Sequence, residues 1–91
     1  MPKVHRLQTD PGIPADRQMD HAFFCPGCKC GHGFNAQRWA FNGDLERPTL
    51  NPSLLLFGVR RCHSFVRDGM IEFLADCDHE LAGKTVPLED F

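Results

Sequence analysis

RCHSFVRDGMIEFLADCDH, residues 61–79, sets Asp68-Gly69 between two short apolar runs. Both turn residues tolerate positive φ, and Asp-Gly flanked by alternating hydrophobics is the strongest short-range hairpin signal. A two-residue turn sets Arg67 opposite Met70, Val66 opposite Ile71 and Cys62 opposite Ala75. Side chains alternate along a strand, so this register predicts two faces. One carries Cys62, Ser64, Val66, Ile71, Phe73, Ala75 and Cys77; the other carries His63, Phe65, Arg67, Met70, Glu72, Leu74 and Asp76.

The sorting has chemical content. Cys62 and Cys77 become diagonal neighbours on the more apolar face, roughly 7–8 Å apart at the backbone and within reach of one metal ion. On the reverse face His63 and Asp76 are diagonal neighbours, and a carboxylate there can hold an imidazole in one tautomer. Read alone, the hairpin is equally compatible with two small buried thiols and a surface histidine.

The Cys25-Pro26-Gly27-Cys28 stretch changes that balance. Two thiols bracket a tight turn in which Pro fixes one φ and Gly frees another, so both sulfurs face one ion. A redox CxxC needs a strand-to-helix setting, and Gly31-His32-Gly33 is a poor helix start. A knuckle needs two more ligands, and Cys62 with Cys77 supplies them, giving Cys25, Cys28, Cys62 and Cys77 as the first-choice zinc set. Cys30, His32 and His79 are the alternates.

Composition agrees. Ninety-one residues with eight Phe, one Trp, eight Gly and seven Pro make one small domain whose modest core benefits from a staple. Five Cys is an odd count, which favours a metal over a disulfide framework in a reducing compartment. Net charge is −2 without a basic run, so nucleic-acid binding has no electrostatic support. With no signal-like start and no apolar run of spanning length, the expected location is the cytoplasm of a bacterial host, off the membrane. Oligomeric state is not legible.

Elsewhere the chain reads as short strands. Residues 1–20 are broken by Pro and Gly and read as an extended or flexible arm, with a short edge strand at Val4 to Leu7. Residues 21–91 form the zinc domain. Arg38 to Phe41 alternates as a strand that puts Trp39 and Phe41 on one face. Leu54-Leu55-Leu56-Phe57-Gly58-Val59, entered through Pro48 and Pro52, suits a strand buried on both faces. Ser53 stands where that strand leaves its Pro-rich loop, and is most simply a strand-start residue, though a hydroxyl there becomes a nucleophile if a base lies near. Residues 80–88 offer a helical turn, a Gly and a last short strand. The expected fold is mostly β: a small antiparallel sheet, zinc-stapled, with a central hairpin clamped by the knuckle.

FxCPGC, RPTxxPS, CHSFVRDGxIxFLxDCxH and LAGxTVxL, spread over Phe23 to Phe91, resemble a family of small phage and prophage proteins. These were long grouped as a domain of unknown function and are often mislabelled ammonia monooxygenase; nothing in the chain supports that label. More distantly the chain is similar to the peptidase component of bacterial ubiquitin-like (Bub) operons. That resemblance implies Ser53, in Pro52-Ser53, as nucleophile and His63, in His63-Ser64-Phe65-Val66-Arg67, as base. Asp76 comes from the hairpin register, as the residue that orients the base.

Three functions follow. The first is a serine-type peptidase or isopeptidase with structural zinc, acting on a ubiquitin-like or other protein substrate. The second is a non-catalytic zinc module binding a host or phage protein through Trp39, Phe57 or Phe65. The third is zinc hydrolysis, with His32, His79 and Cys ligands leaving one position open to water. A Ser53 Oγ within hydrogen-bond reach of His63 distinguishes the first from the second.

Overall fold

The computed structural model describes residues 2–57 and 61–91. Asp68 and Gly69 both adopt positive φ, 52° and 79°, the conformation a two-residue hairpin turn demands. They join β7 (Arg61–Arg67) to β8 (Met70–Phe73), with Arg67 facing Met70, Val66 facing Ile71 and Ser64 facing Phe73. The inner face follows the expected alternation: Cys62, Ser64, Val66, Ile71 and Phe73 are all buried.

The hairpin is the centre of an antiparallel sheet ordered β6-β7-β8-β9, with β6 at Leu54–Phe57 and β9 at Thr85–Pro87. A second sheet joins β1 (Val4–Arg6), β2 (His21–Cys25) and β3 (Cys30–Phe34), and a two-stranded ribbon pairs β4 (Ala40–Phe41) with β5 (Leu50–Asn51). All pairings are antiparallel. The fold is mostly β, as the sequence implies. The sheets share one core, in which Val4, Phe23, Cys25 and Phe34 meet Leu50, Leu54, Cys62, Val66, Ile71, Phe73 and Leu88. Each fully buried Phe there contributes roughly 1.5–3 kcal/mol by leaving water.

Two expectations change, and one gains detail. The short edge strand expected at Val4 to Leu7 forms as β1, where Val4 faces Phe23 and is fully buried, so the arm contributes to the core. The strand at 54–57 is not buried on both faces: Leu54 is buried but Leu55 is 45% exposed, because β6 lies at the sheet's edge and only one face meets the core. Gly58 and Val59 lie outside the described residues. Ala36–Arg38 forms a turn, with Arg38 and Trp39 N–H donating to the Asn35 carbonyl, so the strand there shrinks to Ala40–Phe41. Trp39 and Phe41 still pack against the core. No helix among the described residues is long and apolar enough to cross a membrane.

Candidate active site and candidate metal centre

The pairing of β6 with β7 sets Leu54 opposite Ser64, Leu55 opposite His63 and Leu56 opposite Cys62. Ser53, one residue before β6, therefore lies diagonal to His63 and on the same outer face. The Ser53 hydroxyl donates to His63 Nε2 at 3.0 Å. On the far side of the ring, Nδ1–H donates to Asp76 Oδ2 at 3.2 Å. That tautomer satisfies both neighbours at once, since a carboxylate only accepts and a hydroxyl can donate. Hydroxyl, imidazole and carboxylate thus stand in the nucleophile–base–orienter order of acyl transfer. Ser53 is half-buried, and the side chains of His63 and Asp76 are 24% and 45% exposed, so the hydroxyl is within reach of a substrate.

Asp76 reaches His63 by a route different from the ladder expected. Pairing continues only to the bond from Leu74 N–H to the His63 carbonyl, after which the chain turns at Ala75-Asp76, with Cys77 N–H donating to the Leu74 carbonyl. Ala75 is exposed and does not face Cys62. The turn is tied back at Arg61, whose carbonyl accepts from Asp78 N–H and whose own N–H donates to Asp78 Oδ2.

The same turn decides the thiol cluster. Cys25, Cys28, Cys62 and His79 bring one ligand atom each to within 4.8 Å of the others. Cys77 is not in the group. Its sulfur accepts the His63 N–H at 3.2 Å and its S–H donates to the His63 carbonyl at 3.1 Å. Because the strand ends before Cys77, the strict two-residue alternation that placed it beside Cys62 no longer holds, and the returning loop delivers His79. His79 Nε2 lies 3.7 Å from Cys62 Sγ, and its ring is seated edge-on against Phe73. Gly27 leaves room for that ring, since a Cβ at 27 would collide with the imidazole. Cys30, opposite Cys25 in the β2–β3 ladder, is exposed and outside the cluster. His32 stays beside Cys25 without joining the four.

The knuckle has the local geometry its residues imply. Lys29 takes φ 59°, and its N–H donates to the Cys25 carbonyl at 2.7 Å. Cys28 N–H donates to Cys25 Sγ at 3.3 Å. A hydrogen bond from Cys62 holds the Cys25 thiol down at about 4, opposed by burial and helped by His32 and the Cys28 amide. Burial and the neighbouring Cys25 charge push Cys28 up to about 11. Donating to Cys25, together with burial, raises Cys62 far above the ordinary thiol range. The negative charge thus rests on Cys25, with Cys28 and Cys62 held as thiols beside it, a donor set that suits a cation. The fit is also metrical: a tetrahedral ion with Zn–S near 2.3 Å sets its sulfurs about 3.8 Å apart, and Cys25 Sγ lies 3.8 Å from Cys62 Sγ. These four residues could hold a metal ion.

Of the surface aromatics, Phe65 is half-buried with the Arg67 guanidinium 4.3 Å over its ring. The side chain of Phe57 lies outside the described residues.

Residues 4–74 match the family model described as the bacterial ubiquitination-like system serine protease, BubE. That span carries Ser53, His63 and three of the four clustered residues, and ends before Asp76 and His79. No curated protein and no solved structure matches the chain.

Proposed function

The chain belongs to the BubE family of bacterial ubiquitination-like system serine proteases, and from that premise we propose that it is a serine-type peptidase or isopeptidase acting on a ubiquitin-like or other protein substrate, with a structural zinc ion. The observation that carries this reading is the Ser53–His63–Asp76 relay, 3.0 Å and 3.2 Å at its two links. Ser53 Oγ attacks the scissile carbonyl carbon while its proton passes to His63 Nε2. The carbon–nitrogen bond then breaks, and the leaving amine takes that proton. Water attacks the acyl ester, giving a proton to Nε2 that returns to Oγ as the ester bond breaks. Asp76 keeps its charge throughout and stabilises the imidazolium.

Zinc, held by Cys25, Cys28, Cys62 and His79, would supply folding energy and no chemistry. Four protein ligands close the tetrahedron and leave no position for a water, which argues against metal-assisted hydrolysis. Residues that would hold the ion adjoin the triad, since Cys62 and His63 are consecutive on β7 and Asp76 and His79 share one loop, so metal binding would fix the positions of His63 and Asp76.

A fluorophosphonate probe tests the nucleophile. We expect one adduct, on Ser53, that disappears in His63→Ala. Labelling at another serine, or none at millimolar probe, would overturn the assignment. The thiol cluster predicts a proton count. At neutral pH Cys25 is a thiolate, whereas Cys28 and Cys62 are thiols. Zinc requires all three deprotonated, so binding to the folded cluster releases about two protons, and affinity rises with pH by roughly a hundredfold per unit in the neutral range. A third proton appears if the metal-free chain is unfolded, because Cys25 then returns to an ordinary thiol. Titration calorimetry in buffers of different ionisation enthalpy reads this count, and a value near zero would rule out thiolate ligation.

A further inference from the structure

The peptidase reading leaves open how a substrate chain is held, and the free edge of β6 bears on that. Among the described residues β6 pairs with β7 and with no other strand. The His63 carbonyl accepts from Leu74, and the groups of Arg61 and His63 bond Asp78 and Cys77. The odd-numbered residues of β7 thus turn toward β8. Alternation in an antiparallel pair turns Cys62 and Ser64 toward β6, where their partners are Leu56 and Leu54. Leu55, between these two, directs its N–H and C=O away from the sheet. Its side chain is 45% exposed on the outer face, opposite His63.

We propose that the substrate's main chain adds to this edge as an extended strand, bonded to the N–H and C=O of Leu55. The proposal rests on the peptidase reading and names its substrate class: a flexible polypeptide segment or tail, not a folded surface. Ser53 lies two residues from Leu55, about 7 Å along the strand. A residue docked on Leu55 therefore sits about two positions from the carbonyl presented to Ser53 Oγ. Main-chain bonds give such addition its affinity whatever the side chains. Every second side chain of the added strand lies on the outer face beside the exposed Leu55 side chain, so apolar residues are favoured there. The edge runs on directly from the nucleophile, which selects a substrate strand over a second copy of this chain as its occupant.

Leu55→Pro is the direct test. It removes an N–H that the β6–β7 ladder does not use, and proline is tolerated at an edge position of this kind. Leu55→Ala keeps the N–H and removes only the apolar side chain. Turnover of p-nitrophenyl acetate, which needs the triad alone, is compared with cleavage of reduced, carboxymethylated casein. We expect the casein-to-ester ratio to fall at least tenfold in Leu55→Pro, mainly through KM, and to stay within threefold in Leu55→Ala. A Leu55→Pro ratio within threefold of the unsubstituted protein overturns strand addition. So does ester turnover without casein cleavage, or a change of oligomeric state in place of the ratio. Should Leu55→Pro not fold, hydrogen exchange on Ser53→Ala with bound casein decides: slowing of the Leu55 amide by tenfold or more supports the proposal, and casein binding without it refutes the proposal. Absence of any Ser53-dependent turnover of either substrate defeats the peptidase reading itself, and this proposal falls with it.

Discussion

Ser53→Ala is expected to lower peptidase turnover by about a thousandfold or more while moving the melting temperature by no more than about 5 °C and leaving metal content unchanged. The size follows from the removal of the only atom that forms the acyl bond; what survives such a loss is the contribution of substrate binding and electrostatics. The small size of the stability effect follows from the surroundings. Ser53 is half-buried, and among the described residues its hydroxyl hydrogen-bonds His63 Nε2 alone, so truncation costs on the order of 1 kcal/mol. His63→Ala should match it in turnover, because residues that act as a relay are not additive. Asp76→Asn should lose about a hundredfold, less than a buried orienter would, because its carboxylate is 45% exposed and water partly replaces it. Turnover unchanged in Ser53→Ala would remove the nucleophile. Loss of metal in that variant would show Ser53 to be structural.

Removal of the proposed zinc ion is the second large effect expected. Structural zinc contributes roughly 10–16 kcal/mol in small metal folds, against a total stability of about 5–14 kcal/mol for a domain of 91 residues. Chelation, or Cys25→Ser, should therefore unfold the domain and abolish activity together. A melting temperature unmoved by a strong chelator would exclude the structural ion. The ligand set has its own discriminator. His79→Ala should release the ion, whereas Cys77→Ser and Cys30→Ser should keep it, since neither thiol lies in the cluster. Metal lost from Cys77→Ser and retained in His79→Ala would restore the four-thiol site.

What could be read from residues alone was local. Asp68-Gly69 forces the turn, the turn sets the register, and the register assigns Cys62 inward and His63 outward. Cys25-Pro26-Gly27-Cys28 builds its own loop. These determinations hold because each depends on backbone preferences within a few residues, and the two-residue period then carries them along a strand without further information. Pairing Ser53 with His63 took more: the spacing from Pro52-Ser53 to His63 does not reveal that β6 returns beside β7 in the register that makes them diagonal.

Tertiary structure decided wherever a strand ended. Nothing between Leu74 and Cys77 announces that pairing stops, yet one turn at Ala75-Asp76 moved Cys77 onto the His63 backbone and brought His79 into the candidate metal cluster in its place. Packing likewise decided that Val4, on the edge strand legible in the sequence, is fully buried, and sheet order left Leu55 in solvent at an edge. The physical division is one of range. Turn chemistry and side-chain alternation are written in consecutive residues, whereas strand length, edge position and the choice among competing thiol and imidazole ligands are settled by packing between segments far apart in the chain.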